Sequence, residues 1–141
     1  MITAIIAAAL VVPPPAGTDV NRILTAIAAV ETGGERQPDR AVGDNGKALG
    51  RFQIWEVYWK DACEYDKSLR SRPYTDVTDP EYAKRVVIAY LSRYAPDWSI
   101  DTVARIHNGG PRGATGKRRR ATDGYAAKVA KEYDIGSSRL E

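Results

Sequence analysis

The chain has 141 residues, 43% of them hydrophobic and 28% charged, which suits one globular domain with its own core. Its net charge of +3 fits an anionic polymer as partner but falls well short of defining a nucleic-acid binder. The single cysteine, Cys63, excludes an intrachain disulfide, and the single histidine, His107, argues against a histidine metal centre. No nucleophile-elbow sequence accompanies His107, so carboxylates are left as the natural catalytic groups.

Residues 2–12, ITAIIAAALVV, are too short an apolar run to span a bilayer comfortably, and three prolines follow. The run reads as the hydrophobic region of an export signal without the usual basic start, a membrane-associated anchor and an apolar arm of the fold being the alternatives. Residues 1–17 are therefore set apart from a domain covering 18–141. Thr18 or Asp19 caps a helix running to about Thr32, and Gly33-Gly34 ends it. Val20, Leu24 and Ile27 follow the spacing 0, 4, 7, and Glu31 falls at 11, on the same stripe and in the last turn. A carboxylate there loses hydration and faces the negative end of the helix dipole, and both effects oppose its charge.

Residues 35–50 are polar and turn-rich. Asp44-Asn45-Gly46 is a tight-turn signal between short strands near residues 41–42 and 48–49, a small hairpin. The pattern then predicts a helix over residues 54–63, with Ile54, Val57, Tyr58 and Asp61 on one face, and a loop over 64–78. Asp79-Pro80-Glu81 starts a core helix that Pro96 stops. Ser99 caps a further helix with Ile100, Val103, Ala104 and His107 on its apolar face, ending at Asn108-Gly109-Gly110-Pro111. Lys117-Arg118-Arg119-Arg120, with Arg112 nearby, reads as a solvated loop or as a docking point for anionic polymers. A last helix over residues 122–133 places Tyr125, Val129 and Tyr133 at 0, 4, 8. The fold class is mainly α, several helices with one small β-hairpin.

Three stretches together resemble the lysozyme superfamily. "VETGG" with "GRFQI" is similar to the Glu-Ser-Gly and Gly-x-x-Gln-Ile blocks of soluble lytic transglycosylases and goose-type lysozymes. "GRFQIWEVYWKDAC" and "ARIHNGGPRG" resemble invertebrate-type lysozymes more closely. The resemblance covers roughly residues 20–134. It implies a lysozyme-like fold with a cleft, no cofactor and no metal. It also implies cleavage of the β-1,4 bond between N-acetylmuramic acid and N-acetylglucosamine in peptidoglycan glycan strands. Invertebrate-type lysozymes are cysteine-rich, and this chain is not, so its stability must come from packing.

The resemblance assigns Glu31 as general acid, matching the required setting on its helix. Asp44 is the candidate second carboxylate, one residue from the aligned position, or else it only starts the turn; Asp39 and Glu35 are alternatives on the same loop. Gln53 matches a cleft-floor residue that bonds substrate or orients the hairpin. Asn108 is placed to hold an acetamido group or to cap its helix. His107 reads as a core or cleft-wall residue, and Tyr125 as a cleft or core aromatic. Trp55, Trp59 and Trp98 are sugar-stacking or core residues. The expected partner is peptidoglycan, with anionic wall polymers drawn by residues 117–120, no specific nucleic acid, and a monomeric, exported enzyme. A catalytically silent wall-binding domain is the alternative, disfavoured by a carboxylate kept on an apolar stripe.

Overall fold

The computed structural model describes residues 10–139. Helix α1 covers Val20–Thr32, capped by the Asp19 carboxylate, which accepts the Arg22 backbone N–H at 3.1 Å. Its inner face buries Ile23, Leu24, Ala26 and Ile27. Three two-residue strands follow, β1 (Val42–Gly43), β2 (Ala48–Leu49) and β3 (Ile54–Trp55), then α2 (Glu56–Tyr65) and α3 (Pro80–Tyr94). Helices α4 (Ile100–Gly109), α5 (Gly116–Ala121) and α6 (Asp123–Ser138) complete the order. The most extensive helix contacts join α1 to α6, α2 to α3 and α4 to α6.

The hairpin is in fact part of a three-stranded antiparallel sheet in the order β1-β2-β3, with Val42 opposite Leu49 and Leu49 opposite Ile54. The helix expected from residue 54 begins at Glu56 instead. Gln53 adopts φ +51°, which turns the chain back into an extended path before the helix can start. A short run such as Ile54-Trp55 carries no periodicity long enough to separate strand from helix. Tyr74 fixes the result, donating its hydroxyl to the Ile54 carbonyl at 2.7 Å.

The expected loop over 64–78 contains two 3-10 turns, Lys67–Ser71 and Tyr74–Thr78, pinned by buried Leu69 and Val77. The basic run is helical, as α5. There Arg118 donates to the Gly109 carbonyl at 2.9 Å, and Arg119 pairs with Asp101 at 3.3 Å. Arg105 on α4, its side chain 9% exposed, joins Asp101 and Asp123 and also donates to the Arg119 carbonyl. Its guanidinium is pushed further above its ordinary range, first by the Asp123 bond. This one side chain ties α4, α5 and α6 together. The last helix runs five residues beyond the expected end, to Ser138, where Arg22 stacks over Tyr133 at 3.7 Å.

The apolar run 2–12 lies mostly outside the described residues; at its end the Val12 N–H donates to the Tyr65 hydroxyl at 2.8 Å. Among the described residues no helix is long and apolar enough to cross a membrane.

With a cysteine-poor chain, the core carries the stability. Ile27, fully buried on the face of α1 that supports Glu31, should cost about 3 kcal/mol when cut to alanine. Urea denaturation of Ile27→Ala measures this, and a loss under about 1 kcal/mol would mean that α1 is not anchored through this face.

Candidate active site

A cleft of about 350 Å³ opens between the sheet, the start of α2 and the end of α4. Glu31, Asp44, Gln53, His107 and Asn108 all line it. Five residues chosen from sequence spacing and resemblance, scattered over 78 positions, thus meet in one place. Tyr125 stands behind Glu31 instead of in the lining, bonded to its carboxyl.

Glu31 reaches the cleft because α1 ends there. Thr32, buried beside it, donates its hydroxyl to the Arg51 carbonyl at 2.9 Å and so stitches the end of α1 to the chain leading into β3. The Glu31 side chain is 20% exposed. Its Oε1 accepts from the Tyr125 hydroxyl at 2.9 Å and lies 3.5 Å from His107 Nε2. Burial, and then the Glu31 charge, push the Tyr125 phenol far above its ordinary range, so it stays protonated and donates.

Asp44 sits at the tip of the hairpin with φ +48°, followed by Asn45 at +56° and Gly46 at +90°. A left-handed aspartate is an uncommon backbone state, and such states gather at functional positions. Its Oδ2 accepts from the Trp55 indole N–H at 3.3 Å. Of the alternatives on this loop, Asp39 is clamped by Arg51 at 2.6 and 3.0 Å, and Glu35 lines a separate depression. Gln53 donates its amide to the carbonyls of Gly50 at 3.0 Å and Ala41 at 3.4 Å, orienting the hairpin while lining the cleft.

His107 is buried, its side chain only 3% exposed, which leaves little surface for a sugar. Its Nε2 lies 3.0 Å from the Phe52 carbonyl and its Nδ1 3.0 Å from the Tyr58 hydroxyl. Asn108 is exposed at the cleft wall, its amide without a hydrogen-bond partner among the described residues. Of the tryptophans, Trp55 is 41% exposed in the cleft, Trp59 donates to the Tyr82 hydroxyl, and Trp98 is buried.

Sequence reasoning missed three cleft residues. Asp61 is a third carboxylate, on α2, accepting from Tyr94 at 3.3 Å. Tyr58 and Tyr90 stack at 3.6 Å beneath it. The helical face shared by Val57, Tyr58 and Asp61 was visible, as was the apolar face of α3 that carries Tyr90, but only the tertiary fold brings the two together beside Glu31.

The arrangement of helices around a cleft, with a glutamate at a helix end and a small sheet opposite, defines a lysozyme-like fold. The solved structure of Tapes japonica lysozyme matches it with a TM-score of 0.58 at 26% identity, over 77% of this chain and 88% of that one. A family model described as Destabilase matches residues 21–131, and the chain belongs to that family. It is 35% identical over 89 residues to Lysozyme 1 of Crassostrea virginica, covering 60% of this chain and 45% of that protein. A lysozyme of Magallana gigas is 37% identical over 70 residues, 47% of this chain and 48% of that one. The chain thus spans about half the length of the curated relatives it matches. The resemblance to invertebrate-type lysozymes is borne out.

The hairpin register leads to a prediction. A methyl group on Gly43 would collide with Oε1 of Gln53, so Gly43→Ala should free that amide from the Gly50 and Ala41 carbonyls. Hydrogen exchange at the Gly50 N–H, bonded to Ala41 at 2.9 Å, should speed up by about ten-fold with α3 unaffected. Unchanged exchange would show that Gln53 does not hold the hairpin.

Proposed function

We propose that this protein is a peptidoglycan-cleaving glycosidase, a muramidase acting on the β-1,4 bond between N-acetylmuramic acid and N-acetylglucosamine. The carrying observation is the pair of carboxylates, Glu31 and Asp44, lining one cleft in a chain of the Destabilase family. The lysozyme names of the relatives support the same reading.

Glu31 acts as general acid. It gives its proton to the glycosidic oxygen as the C–O bond breaks, and that bond's electron pair leaves with the oxygen. The sugar left behind carries oxocarbenium character, which the Asp44 carboxylate stabilises across the cleft until water adds and gives up a proton to the Glu31 carboxylate, restoring the acid. Asp44 is held for this by the Trp55 indole and by a hairpin that Gln53 and Tyr74 lock. Asn108 offers a free amide to an acetamido group, and Trp55 a face to a pyranose ring. Should Asp44 serve only the turn, the muramic acid's own hydroxyl could close a 1,6-anhydro ring, the lytic transglycosylase outcome.

The α5 face adds a polymer contact. Arg119 is paired with Asp101 and Arg118 is tied to Gly109, while Lys117 and Arg120 have no acidic partner among the described residues. They draw the enzyme to anionic wall polymers, an attraction that salt weakens. Work on the wall requires export, in keeping with the apolar start of the chain.

The test is digestion of purified peptidoglycan with product masses read by mass spectrometry. Wild type should release reducing muropeptides, and Glu31→Gln should lose at least about 1,000-fold in rate with an intact fold. Products one water lighter would establish the transglycosylase. Wall binding with no products from either protein would leave a silent binding domain.

A further inference from the structure

Both polar side chains that approach the Glu31 carboxyl lie against the same oxygen. Tyr125 donates to Oε1 at 2.9 Å and His107 Nε2 lies 3.5 Å from it, while Oε2 has no protein partner among the described residues.

The state of His107 follows from its two neighbours. The Phe52 carbonyl can only accept, so Nε2, 3.0 Å away, carries a hydrogen. Burial lifts the Tyr58 phenol well above its ordinary range, so Tyr58 keeps its proton. It has no other acceptor among the described residues, and therefore donates that proton to Nδ1 at 3.0 Å. The stack of Tyr58 on Tyr90 at 3.6 Å holds the donor in place. The Nε2 hydrogen is thereby donated to the Phe52 carbonyl, Nδ1 accepts from Tyr58, and Glu31 Oε1 lies beside Nε2 as a 3.5 Å polar contact. The titratable groups facing this cluster are Glu31, Asp44, Asp61, Tyr58, Tyr90 and Tyr125.

We propose that Tyr125 and His107 are positioning residues that reserve Oε1 of Glu31 as acceptor and so place the acidic proton on Oε2. This inference rests on the reading of Glu31 as general acid. The oxygen bearing an acidic hydrogen is the poorer acceptor of the two, so the Tyr125 hydrogen bond at Oε1, with the His107 N–H edge 3.5 Å away, selects Oε2 for the proton. When that proton passes to the glycosidic oxygen, the O–H bond pair stays on the carboxylate. The new charge spreads to Oε1, where the Tyr125 donor already stands with His107 Nε2 close by, so no reorganisation is needed.

Kinetics on soluble peptidoglycan fragments test this, with Tyr125→Phe placed in both the wild-type and Glu31→Gln backgrounds. In wild type it should lower kcat on the order of ten-fold at unchanged KM. In Glu31→Gln, the same substitution should leave residual turnover unchanged. A raised KM with kcat kept, or an equal loss in both backgrounds, would overturn the proposal in favour of substrate contact or plain packing. Nitrogen-15 shifts of His107 give a second reading that needs no variant: a protonated Nε2 with a bare Nδ1 is expected, and the reverse tautomer overturns the proposal. Full turnover by Glu31→Gln would instead sink the general-acid reading itself, and this inference with it.

Discussion

The hydrogen bond from Tyr125 to Glu31 joins two helices that lie 94 positions apart in sequence. It places a carboxyl at the open end of α1 and makes that placement depend on α6. The dependence spreads outward from there. The packing of α1 on α6 sets the distance, the Arg105 cluster fixes α6 against α4, and α4 brings His107 and Asn108 to the same cleft. Without disulfide bridges from its lone, buried cysteine, the chain relies on these contacts and on its aliphatic core.

The opposite wall is built with less material. Three two-residue strands cannot hold a shape by ladder hydrogen bonds alone. Side chains supply the missing order. Gln53 bonds two hairpin carbonyls, Tyr74 bonds β3, and Thr32 joins α1 to the segment between them. Both Asp44 and Gln53 adopt left-handed backbone conformations, so a carboxylate that lines the cleft and the amide that braces the hairpin share the strained positions. Rigidity on this side is local and polar, whereas on the Glu31 side it is global and apolar.

Much of this was legible in the chain. The spacing of Val20, Leu24, Ile27 and Glu31 put the carboxyl at the end of a buried stripe, and Asp44-Asn45-Gly46 marked the turn. Helix α3 was announced by Asp79-Pro80-Glu81, and the Asp79 side chain does accept the Glu81 N–H. What stayed hidden depends on contacts distant in sequence. Strand β3 is a strand because Leu49 pairs with Ile54, and α5 is ordered partly because Gly109 and Asp101 receive its arginines. The partners of His107 were equally invisible, since a carbonyl at position 52 and a hydroxyl at position 58 carry no signal in an apolar helical stripe.

Where the sugar chain lies relative to Glu31 is the most direct measure of this account. A crystal structure of Glu31→Gln soaked with an oligosaccharide of alternating N-acetylmuramic acid and N-acetylglucosamine would locate it. The account predicts a glycosidic oxygen within hydrogen-bond distance of the residue-31 amide, with Asp44 on the far side of the ring. An oligosaccharide bound along α5 or elsewhere, with the cleft empty, would contradict it.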